Sequence, residues 1–237
     1  MSTHKIICGD SLELLPTLPQ AKMIFADPPD NIGMEYTNYV DSIDCEDYLI
    51  WLSKLTLAMN YANPGSYWLS YNQKWDLPLL GNIWSQGLLR GYILRKFIWR
   101  FTFGQHRTKD CGNGYRPILR FSQQHCPTQT WNTSDIRVES RRQQLGDKRA
   151  NPEGRVPDDV WEFPRIVGNA KERRTWISNQ HPEKLLERMI RMSTNPGDLV
   201  IDMFAGSGTT HRVCKRLGRN SISIDISPEY CDRIRKD

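Results

Sequence analysis

The sequence lacks long apolar runs and any regular spacing of its cysteines. No stretch approaches the ~18 apolar residues of a membrane span, and residues 1–7 lack the apolar core of a signal peptide. The six cysteines include no CxxC pair, which argues against a disulfide framework and a structural zinc site. We therefore expect a reducing, cytoplasmic setting, without membrane contact and without a metal. The nearest approach to a metal-ligand set is His106, Cys111, His125 and Cys126, whose spacing matches no common site.

The chain is long enough for one α/β domain with a substantial core. Apolar runs typical of buried strands alternate with helix-like segments, and this rhythm predicts a parallel sheet. We expect strands at 5–8, 23–26, 66–71, 97–103, 117–121, 199–201 and 221–224, with regular structure also at 159–163. We expect helices at 12–18, 47–59, 183–192 and 209–217, and a last helix from 227 onwards.

Two short motifs follow buried strands at opposite ends of the chain. Residues 27–30 (Asp-Pro-Pro-Asp) come after the apolar run 23–26, and a glycine-rich turn at 204–208 comes about 170 residues later, after 199–201. Each strand ends in an acidic residue. In an open parallel sheet, ligands bind outside the carboxyl ends of strands, near the point where the strand order reverses. We therefore expect the two loops to converge on one crevice, which holds a cofactor and a substrate group.

The net charge is +5, and the basic residues are concentrated in the middle of the chain. Residues 81–134 contain eight Lys or Arg and one acidic residue, with aromatic residues interleaved. Such a mixture suits phosphate contacts and base stacking, so it favours a nucleic-acid partner. A solvated basic face explains the charge equally well. The pattern supports a nucleic-acid hypothesis without establishing one.

The glycine-rich turn at 204–208 lets the backbone approach a ligand closely. It lacks the lysine of a P-loop and the GxGxxG spacing of a dinucleotide site. About twenty residues further on, the run 221–224 ends in Asp225, where nucleotide-binding folds place a carboxylate for ribose hydroxyls. A turn that only reverses the direction of the chain, without a ligand, also accounts for the Gly-Ser-Gly sequence. With Asp202 and Asp225 in place, the turn predicts a nucleoside ligand.

The segment 195–210, Asn-Pro-Gly-Asp-Leu-Val-Ile-Asp-Met-Phe-Ala-Gly-Ser-Gly-Thr-Thr, resembles the S-adenosylmethionine motif of DNA amino-methyltransferases. The continuation at 216–230 and the upstream segment 180–183 resemble the same family. Members with the catalytic motif first and the cofactor motif last form its β class, and this chain has that order. The resemblance covers nearly the whole chain. It implies a Rossmann-like α/β fold with a mixed, mostly parallel sheet and a permuted motif order.

The resemblance also implies roles for individual residues. Asp202 is expected near the amino group of the S-adenosylmethionine cofactor, Asp225 at its ribose hydroxyls and Asp10 near its adenine ring. Only the Asp225 role also follows from the physics of the fold. The other implied cofactor-binding residues are Phe204, Ala205, Gly206, Ser207, Gly208 and Thr209, and the implied catalytic residues are Asp27, Pro28, Pro29 and Asp30.

The Asp-Pro-Pro turn suits activation of an exocyclic amino group on adenine or cytosine. Such a nitrogen is a poor nucleophile because its lone pair is delocalised into the ring. The Asp27 carboxylate and the Pro28 carbonyl can both accept hydrogen bonds from the amino group, which directs its lone pair at the methyl group of the cofactor. The base must first be flipped out of the duplex. The transfer is then an in-line displacement governed by positioning.

Asp30 departs from the family pattern, in which this position is Tyr, Phe or Trp and stacks on the flipped base. A carboxylate cannot stack, and its charge beside Asp27 is expected to raise the pKa of one of the two carboxyls. Three outcomes are open. Tyr36 or Tyr39 supplies the stacking surface, Asp30 binds the edge of the base, or catalysis is impaired. We favour compensation by Tyr36.

The target is predicted to be the N6 amino group of adenine in DNA, because Asp before Pro-Pro is associated with that activity within the family. Cytosine N4 is the first alternative. A cofactor- and DNA-binding protein without catalysis is the second, and RNA as the substrate stays open. Cytosine C5 chemistry is disfavoured because it needs a cysteine nucleophile in a Pro-Cys context, whereas this chain has Cys126-Pro127.

The irregular stretch 122–158 is predicted to recognise the target sequence. It forms an insertion between a catalytic half, 1–121, and a cofactor-binding half, 159–237, of one domain. Its shortness predicts a short recognition site or a contribution from a partner subunit. A homodimer and a companion restriction endonuclease both suit the resemblance, in a prokaryotic cell or a virus-infected host cell. The candidates for contact with DNA are Tyr36, Tyr39, Arg107, Arg137, Arg141, Arg142 and Arg149.

Overall fold

The computed structural model describes residues 2–36, 39–62, 64–87, 92–101, 107–123 and 129–237. Within these ranges the chain forms an eight-stranded sheet with helices on both faces. The strands are β1 (His4–Cys8), β2 (Met23–Ala26), β3 (Ser66–Ser70), β4 (Tyr92–Arg100), β5 (Tyr115–Gln123), β6 (Val160–Glu162), β7 (Leu199–Asp202) and β8 (Asn220–Asp225). The helices are α1 (Ser11–Leu14), α2 (Cys45–Tyr61), α3 (Asp76–Ser85), α4 (Arg141–Gln144), α5 (Glu183–Ser193), α6 (Thr209–Leu217) and α7 (Pro228–Arg235).

The order of the strands across the sheet is β1-β8-β7-β2-β3-β5-β4-β6. Within this described sheet, β5 is antiparallel to its neighbours β3 and β4, and the other pairings are parallel. The arrangement confirms the predicted Rossmann-like α/β fold with a mixed, mostly parallel sheet. β7 and β8 lie between β1 and β2, so residues that are distant in the sequence share one edge of the sheet.

The central strands are buried on both faces, which explains the continuous apolar runs in the sequence. In β2, Ile24 and Ala26 pack with side chains of α2 and α3 on one face. Met23 and Phe25 pack with α5 and α6 on the other face, and all four residues are at most 3% exposed. Alternation across the pleat therefore fixes the orientation of β2, and with it the place where the chain leaves the sheet at Asp27.

Two helices differ from the sequence-based expectation for local reasons. α2 begins two residues earlier than predicted because the Asp44 carboxylate accepts a hydrogen bond from Glu46 N at 2.8 Å. α3 is not among the predicted helices. It contains Pro78, which usually ends a helix, but this proline lies in the first turn, where no backbone N–H is needed for the helix.

β4 and β5 form an antiparallel pair. Tyr92 lies opposite Gln123, and Arg100 lies opposite Tyr115. Because β5 runs against the other strands, its first residues lie at the carboxyl edge of the parallel strands. Arg116, the second residue of β5, thereby reaches the edge at which ligands bind in such folds.

The segment 122–158 is largely irregular in its described part, as predicted, but it has local structure of its own. It contains a 3-10 turn (Ser134–Ile136), the short helix α4 and an isolated β-bridge between Val138 and Arg155. Its first two residues are the last two of β5, and further along the main-chain N–H of Asn132 donates to the Met192 carbonyl in the last turn of α5. The segment then returns to the sheet at β6, which pairs with the end of β4.

Candidate active site

A cavity of about 440 Å³ opens at the carboxyl edge of the sheet. It is lined by the Asp-Pro-Pro-Asp turn after β2, by Phe204 and Gly206 after β7, and by Asp225 at the end of β8. A smaller cavity of about 40 Å³ shares Asp27, Phe204 and Gly206 with it. The two motif loops therefore meet at one crevice, as the positions of their strands predict. The smaller cavity is also lined by Asp202, Ala205, Ser207 and Thr209.

Two glycines shape the turn that forms one wall of this crevice. Gly206 and Gly208 have φ angles of +48° and +75°, in the left-handed region that favours glycine. A Cβ atom on Gly208 would lie 2.9 Å from Cγ2 of Ile234, so a larger residue would force α7 to shift. Gly208 is not itself a lining residue; it directly precedes α6 and lets that helix start at the crevice.

Asp225 ties the glycine-rich turn to the end of β8. Its carboxylate oxygens accept hydrogen bonds from Gly206 N at 2.8 Å and from Ser227 N at 2.9 Å. Burial raises the pKa of Asp225, although these two bonds oppose the rise. Each oxygen keeps a lone pair for a further donor from the cavity. Asp10, which follows the neighbouring β1, caps α1 through Leu12 N and lines the same cavity.

Asp202 is a deeply buried carboxylate, with an exposure of 2%. Burial raises its pKa to about 7, while hydrogen bonds from Thr210 and from Phe204 N oppose the rise. The pairing of β7 with β2 places Asp202 beside Phe25, two residues before Asp27. A cation in the smaller cavity would favour the ionised form of Asp202, so the site has the chemistry to hold an ammonium group.

Asp27 belongs to a closed ring of polar contacts with Arg116, Ser70 and His181. Its Oδ1 accepts from Arg116 Nη2 at 2.7 Å, and its Oδ2 lies 3.2 Å from His181 Nδ1. Arg116 Nε donates to Ser70 Oγ at 2.7 Å, and Ser70 Oγ lies 3.2 Å from His181 Nε2. Arginine only donates and a carboxylate only accepts. A neutral His181 with its proton on Nδ1 suits both neighbours, since Nδ1 faces the carboxylate and Nε2 faces the Ser70 hydroxyl.

The charge of Asp27 follows from this ring. Burial raises the pKa of its carboxyl, but interactions with His181 and Arg116 outweigh burial and hold the pKa below its ordinary value. The expectation that a second carboxylate raises the pKa is therefore wrong for Asp27. Burial lowers the pKa of His181 by more than Asp27 raises it, so this imidazole is neutral at pH 7. Asp27 is thus an ionised acceptor with a fixed orientation.

Asp30 uses both of its carboxylate oxygens to hold Arg116. Oδ2 accepts from Nη1 at 2.7 Å and Oδ1 accepts from Nη2 at 2.9 Å, which is a bidentate ion pair. The main-chain carbonyl of Asp30 accepts from Trp75 Nε1 at 2.7 Å, and the Pro29 carbonyl accepts from Tyr48 Oη at 2.6 Å. The turn is therefore anchored by two aromatic side chains, and an ion pair occupies the position that is aromatic in the family.

The loop after Asp30 brings Tyr36 and Tyr39 to the wall of the larger cavity. Asn31 has a φ angle of +52°, which asparagine tolerates better than most residues. The Asp41 carboxylate stabilises this loop by accepting three main-chain N–H groups at 2.7, 3.1 and 2.9 Å. The two tyrosine rings lie edge to face with centroids 6.2 Å apart. Burial raises the pKa of Tyr36, and the nearby carboxylates of the turn raise it further, so its hydroxyl is protonated.

The arginines predicted to contact DNA line neither cavity. Arg137 donates to a main-chain carbonyl at 2.7 Å, and Arg149 pairs with Asp147 at 3.0 Å, both within the segment 122–158. The structure thus brings Tyr36 and Tyr39 to the site, but none of the predicted arginines. These arginines are Arg107, Arg137, Arg141, Arg142 and Arg149.

Sequence reasoning missed Arg116, His181 and Ser70 as parts of the site. Arg116 belongs to the basic stretch 81–134, and nothing in its local sequence distinguishes it from the other arginines there. His181 lies in the segment 180–183 that carries the family resemblance, but no role follows from that segment alone. Its ring packs against Trp99, with centroids 5.1 Å apart, at the cavity wall. For Ser70 and His181 the available signal was position, since Ser70 ends β3 and His181 lies just before α5.

Among the described residues, no group of three or more His, Cys, Asp or Glu side chains is arranged to hold a metal ion. Of the four candidate ligands in the sequence, His106, His125 and Cys126 lie outside the described residues, and Cys111 is exposed. In the described ranges, no helix combines the length and the apolar character that a membrane crossing requires.

Comparison with known proteins identifies the family. The family model N6_N4_Mtase, described as DNA methylase, matches residues 21–236. The type II methyltransferase M.HpaI of Haemophilus parainfluenzae is 31% identical over 98% of this chain and 73% of its own length. The DNA adenine methyltransferase YhdJ of Escherichia coli (strain K12) is 33% identical over 95% of this chain and 79% of its own length.

Solved structures share the fold at lower identity. The PvuII DNA methyltransferase (cytosine-N4-specific) superposes with a TM-score of 0.72 at 20% identity, over 99% of this chain and 86% of that one. The M1.HpyAVI-SAM complex gives a TM-score of 0.63 at 18% identity, over 99% of both chains. The family model matches nearly the whole sequence, which confirms the resemblance seen in the motifs, and the chain therefore belongs to the N6/N4 family of DNA methylases.

Proposed function

We propose that this protein transfers a methyl group from S-adenosylmethionine to the N6 amino group of adenine in DNA. The observation that carries the proposal is the crevice shared by Asp27, Asp202 and Asp225. Direct transfer needs the methyl donor and the acceptor amine in one site, with reacting atoms about 3–3.5 Å apart and in line. Asp202 and Asp225, the carboxylates proposed for the donor, and Asp27, the proposed acceptor carboxylate, all line this crevice.

The residues of the crevice fit S-adenosylmethionine. Asp225 keeps lone pairs free for ribose hydroxyls, and Asp10 lies beside it on β1, at the adenine end in the proposed complex. Residues 204–206 would hold the methionine part, and Asp202 would pair with its ammonium group. M1.HpyAVI, which shares the fold, forms a complex with SAM. When bound, the cofactor supplies an electrophilic methyl group on a sulfonium centre.

The affinity for S-adenosylmethionine is expected to increase between about pH 5.5 and 7.5. The pKa of Asp202 is about 7, so below this pH the carboxyl is protonated and does not pair with the ammonium group of the cofactor. The dissociation constant should rise by up to about tenfold for each pH unit below the pKa. Isothermal titration calorimetry measures it, with Asp202→Asn as the control that should bind weakly at every pH. Equal affinity of the native protein at both ends of the range would refute the Asp202 assignment.

The chemistry of the acceptor side needs no covalent intermediate. With the cofactor bound, the lone pair of the amino group would attack the methyl carbon, the electrons of the breaking C–S bond would return to sulfur, and the nitrogen would release a proton to solvent. Asp27 accepts one amino hydrogen and the Pro28 carbonyl accepts the other, so that the lone pair points at the methyl group. The low pKa of Asp27 keeps it in the accepting form. Pro28 and Pro29 restrict the direction of the carbonyl.

Adenine is the proposed target base. YhdJ, a relative named as a DNA adenine methyltransferase, is 33% identical over 95% of this chain. The PvuII enzyme, named as cytosine-N4-specific, shares the fold at 20% identity, and this likeness makes cytosine N4 the second candidate. Both amino groups present the same donor pattern to Asp27 and Pro28, so the base-binding part of the cavity must make the choice.

Mass spectrometry of nuclease-digested DNA tests the proposal after incubation with the protein and labelled cofactor. N6-methyladenine is the expected product. N4-methylcytosine alone would overturn the choice of base but leave the reaction class intact. Absence of transfer despite tight cofactor binding would favour a binding protein without catalysis. Methylation of RNA but not DNA would overturn DNA as the substrate.

Tyr36 is the residue proposed to stack on the flipped base in place of the aromatic that is usual in the family. It lines the cavity beside the Asp-Pro-Pro-Asp turn. Tyr36→Ala should lower kcat/KM by about tenfold to 100-fold, because stacking on one base contributes ~1–3 kcal/mol. Tyr36→Phe is the matched variant that should keep the native value. A native kcat/KM in Tyr36→Ala would assign the stacking surface to Tyr39 or to another aromatic of the cavity.

The segment 122–158 is proposed to contact the duplex outside the cavity while the flipped base enters it. Arg141, Arg142 and Arg149 are exposed, where phosphates and base edges are accessible, whereas Arg137 is half-buried and donates to the Gly154 carbonyl. A companion restriction endonuclease is a related proposal, supported by relatives named as type II methyltransferases. Mapping of modified bases in DNA from cells that express the protein tests the first idea. Methylation without any sequence context would refute a dedicated recognition segment.

A further inference from the structure

Arg116 and Asp30 are charged groups of the cavity that the proposed reaction does not use. Arg116 binds Asp27, the carboxylate proposed to accept a hydrogen bond from the amino group of the base. Its positive charge offsets the negative charge of Asp27 that would stabilise this amino group during the transfer. We propose that Asp30 and Arg116 form a charge-compensated pair that positions Asp27 and leaves the cluster one negative charge. The inference rests on the proposed methyl transfer. It makes Asp30 and Arg116 positioning residues, since neither donates to nor accepts from the reacting atoms.

The hydrogen bonds of Arg116 show which carboxylate holds it. Asp30 receives two of them, one from each terminal nitrogen, whereas Asp27 receives one from Nη2. Ser70 receives the bond from Nε at 2.7 Å. Because a guanidinium is a planar fork with fixed donor directions, Asp30 and Ser70 together determine its plane. That plane determines where the Oδ1 atom of Asp27 must lie.

The charges of this cluster do not cancel. Burial lowers the pKa of Arg116, but Asp27 and Asp30 raise it by more, so the guanidinium is charged at every working pH. Two carboxylates face this one cation. His181 contributes no charge near neutral pH, because burial lowers its pKa. The cluster therefore carries one net negative charge, and of its two carboxylates, which both line the cavity, Asp27 is the more exposed, at 23% against 10% for Asp30.

Two further titratable groups face Asp27 from other elements. Asp202 of β7 interacts with it across the smaller cavity, and its pKa is raised to about 7 by burial. Tyr36, from the loop after β2, is protonated because burial and the carboxylates raise its pKa. Near neutral pH, Asp202 pairs with the cofactor ammonium group in the proposed complex. Neither group therefore supplies the charge that offsets Arg116, and this role falls to Asp30.

The negative charge matters at the moment of transfer. When the amino nitrogen forms its bond to the methyl carbon, it becomes positively charged until it releases a proton. A carboxylate in a cluster with a net negative charge stabilises that nitrogen, whereas a neutral Asp27–Arg116 pair stabilises it less. An aromatic residue at position 30 would leave such a neutral pair. The carboxylate at this position is thus explained by Arg116.

A double-mutant cycle tests the pair, with kcat measured between pH 5.5 and 8.5 at DNA and S-adenosylmethionine concentrations that are saturating at each pH. Asp30→Asn keeps the shape of the side chain and removes its charge. It should lower kcat by about tenfold or more, with little change in KM for S-adenosylmethionine. Arg116→Gln leaves two buried carboxylates facing each other, so one of them will hold a proton near neutral pH. Its kcat should therefore fall steeply towards acid pH, which the native protein should not show.

The double variant Asp30→Asn/Arg116→Gln removes both the cation and the second carboxylate. Its steep acid fall should disappear, and its kcat at pH 7 should exceed that of Arg116→Gln. If the two residues have only a structural role, the opposite is expected. The double variant should then lose more kcat than either single variant, and its pH profile should be the same as that of the native protein. Calorimetric cofactor binding and thermal unfolding check that each variant is folded. If Arg116→Gln does not fold, a comparison of kcat between Asp30→Asn and Asp30→Glu still tests the inference. Only Asp30→Glu keeps the negative charge, so only this variant should approach the native rate.

Two results would overturn this inference while the native protein methylates DNA. One is a native kcat in Asp30→Asn. The other is a double variant that is no faster than Arg116→Gln and has the same pH profile. If the native protein transfers no methyl group at all, the proposed function fails, and this inference fails with it. The native rate and the rates of the variants therefore separate the two failures.

Discussion

Replacement of Asp27 by alanine is expected to lower the rate of methyl transfer by about 100- to 10,000-fold. Asp27 is held in place by Arg116 and His181, and its pKa is below the ordinary value, so it is an oriented and ionised acceptor. Without it, the amino group loses the hydrogen bond that directs its lone pair. The fold should persist, because Arg116 keeps its bidentate pair with Asp30. Transfer of a labelled methyl group to DNA measures the rate.

The matched control for Asp27→Ala is Asp232→Ala. Asp232 is an exposed carboxylate of α7 that pairs with Arg235 at 2.7 Å, away from both cavities. Its removal should leave the rate unchanged. Both variants should bind S-adenosylmethionine as the native protein does, because Asp225 and Asp202 are retained. A rate for Asp27→Ala within about tenfold of the native rate would exclude Asp27 as the acceptor.

Asp225→Ala is expected to weaken the binding of S-adenosylmethionine by about 100-fold or more. Each hydrogen bond from a ribose hydroxyl to a charged carboxylate contributes about 1.5–3 kcal/mol, and about 1.4 kcal/mol corresponds to a tenfold change in affinity. The substitution also frees Gly206 N and Ser227 N, which Asp225 holds at the wall of the cavity. The loss should therefore exceed that of the two ribose bonds alone. Calorimetry measures the dissociation constant.

Asp225→Asn serves as the matched variant in the same experiment. It keeps one acceptor oxygen, but its amide NH2 faces a main-chain N–H that now has no acceptor. We expect an affinity between those of the native protein and Asp225→Ala. Thermal unfolding distinguishes a local loss of the ligand contacts from unfolding of the turn. Native affinity in Asp225→Ala would remove the only cofactor contact that the fold itself predicts.

The crevice could be predicted because its main residues follow buried strands. Asp27, Asp202 and Asp225 each come at or directly after the carboxyl end of an apolar run, and parallel strands bring such ends to one edge. The role of the turn glycines could be predicted equally well, since Gly206 and Gly208 have the positive φ angles that a strand-to-helix turn requires. These inferences need only the local sequence and one rule of sheet topology.

Arg116 could not be predicted in the same way. Its place in the site depends on β5 running antiparallel between β3 and β4, which is a property of the whole sheet. The pKa of Asp27 shows the consequence. From the sequence, the nearest charge to Asp27 is Asp30, three residues away, and it predicts a raised pKa. In the fold, a guanidinium that is 89 residues away in the sequence binds Asp27 and reverses the direction of the shift.

The insertion of β7 and β8 between β1 and β2 also governs how this chain must fold during synthesis. Thr3 N bonds to Asn220 Oδ1, across 217 residues of sequence, so β1 has no neighbour in the sheet until the last strand has been made. At ~5–20 residues per second, β1 waits for its partner for on the order of tens of seconds. During that interval the unpaired main-chain N–H and C=O groups of β1, and of the side of β2 that later pairs with β7, are open to pairing with other nascent chains. The strand order that brings the proposed donor and acceptor sites together therefore leaves the unfinished chain with unpaired strand edges, which promote aggregation.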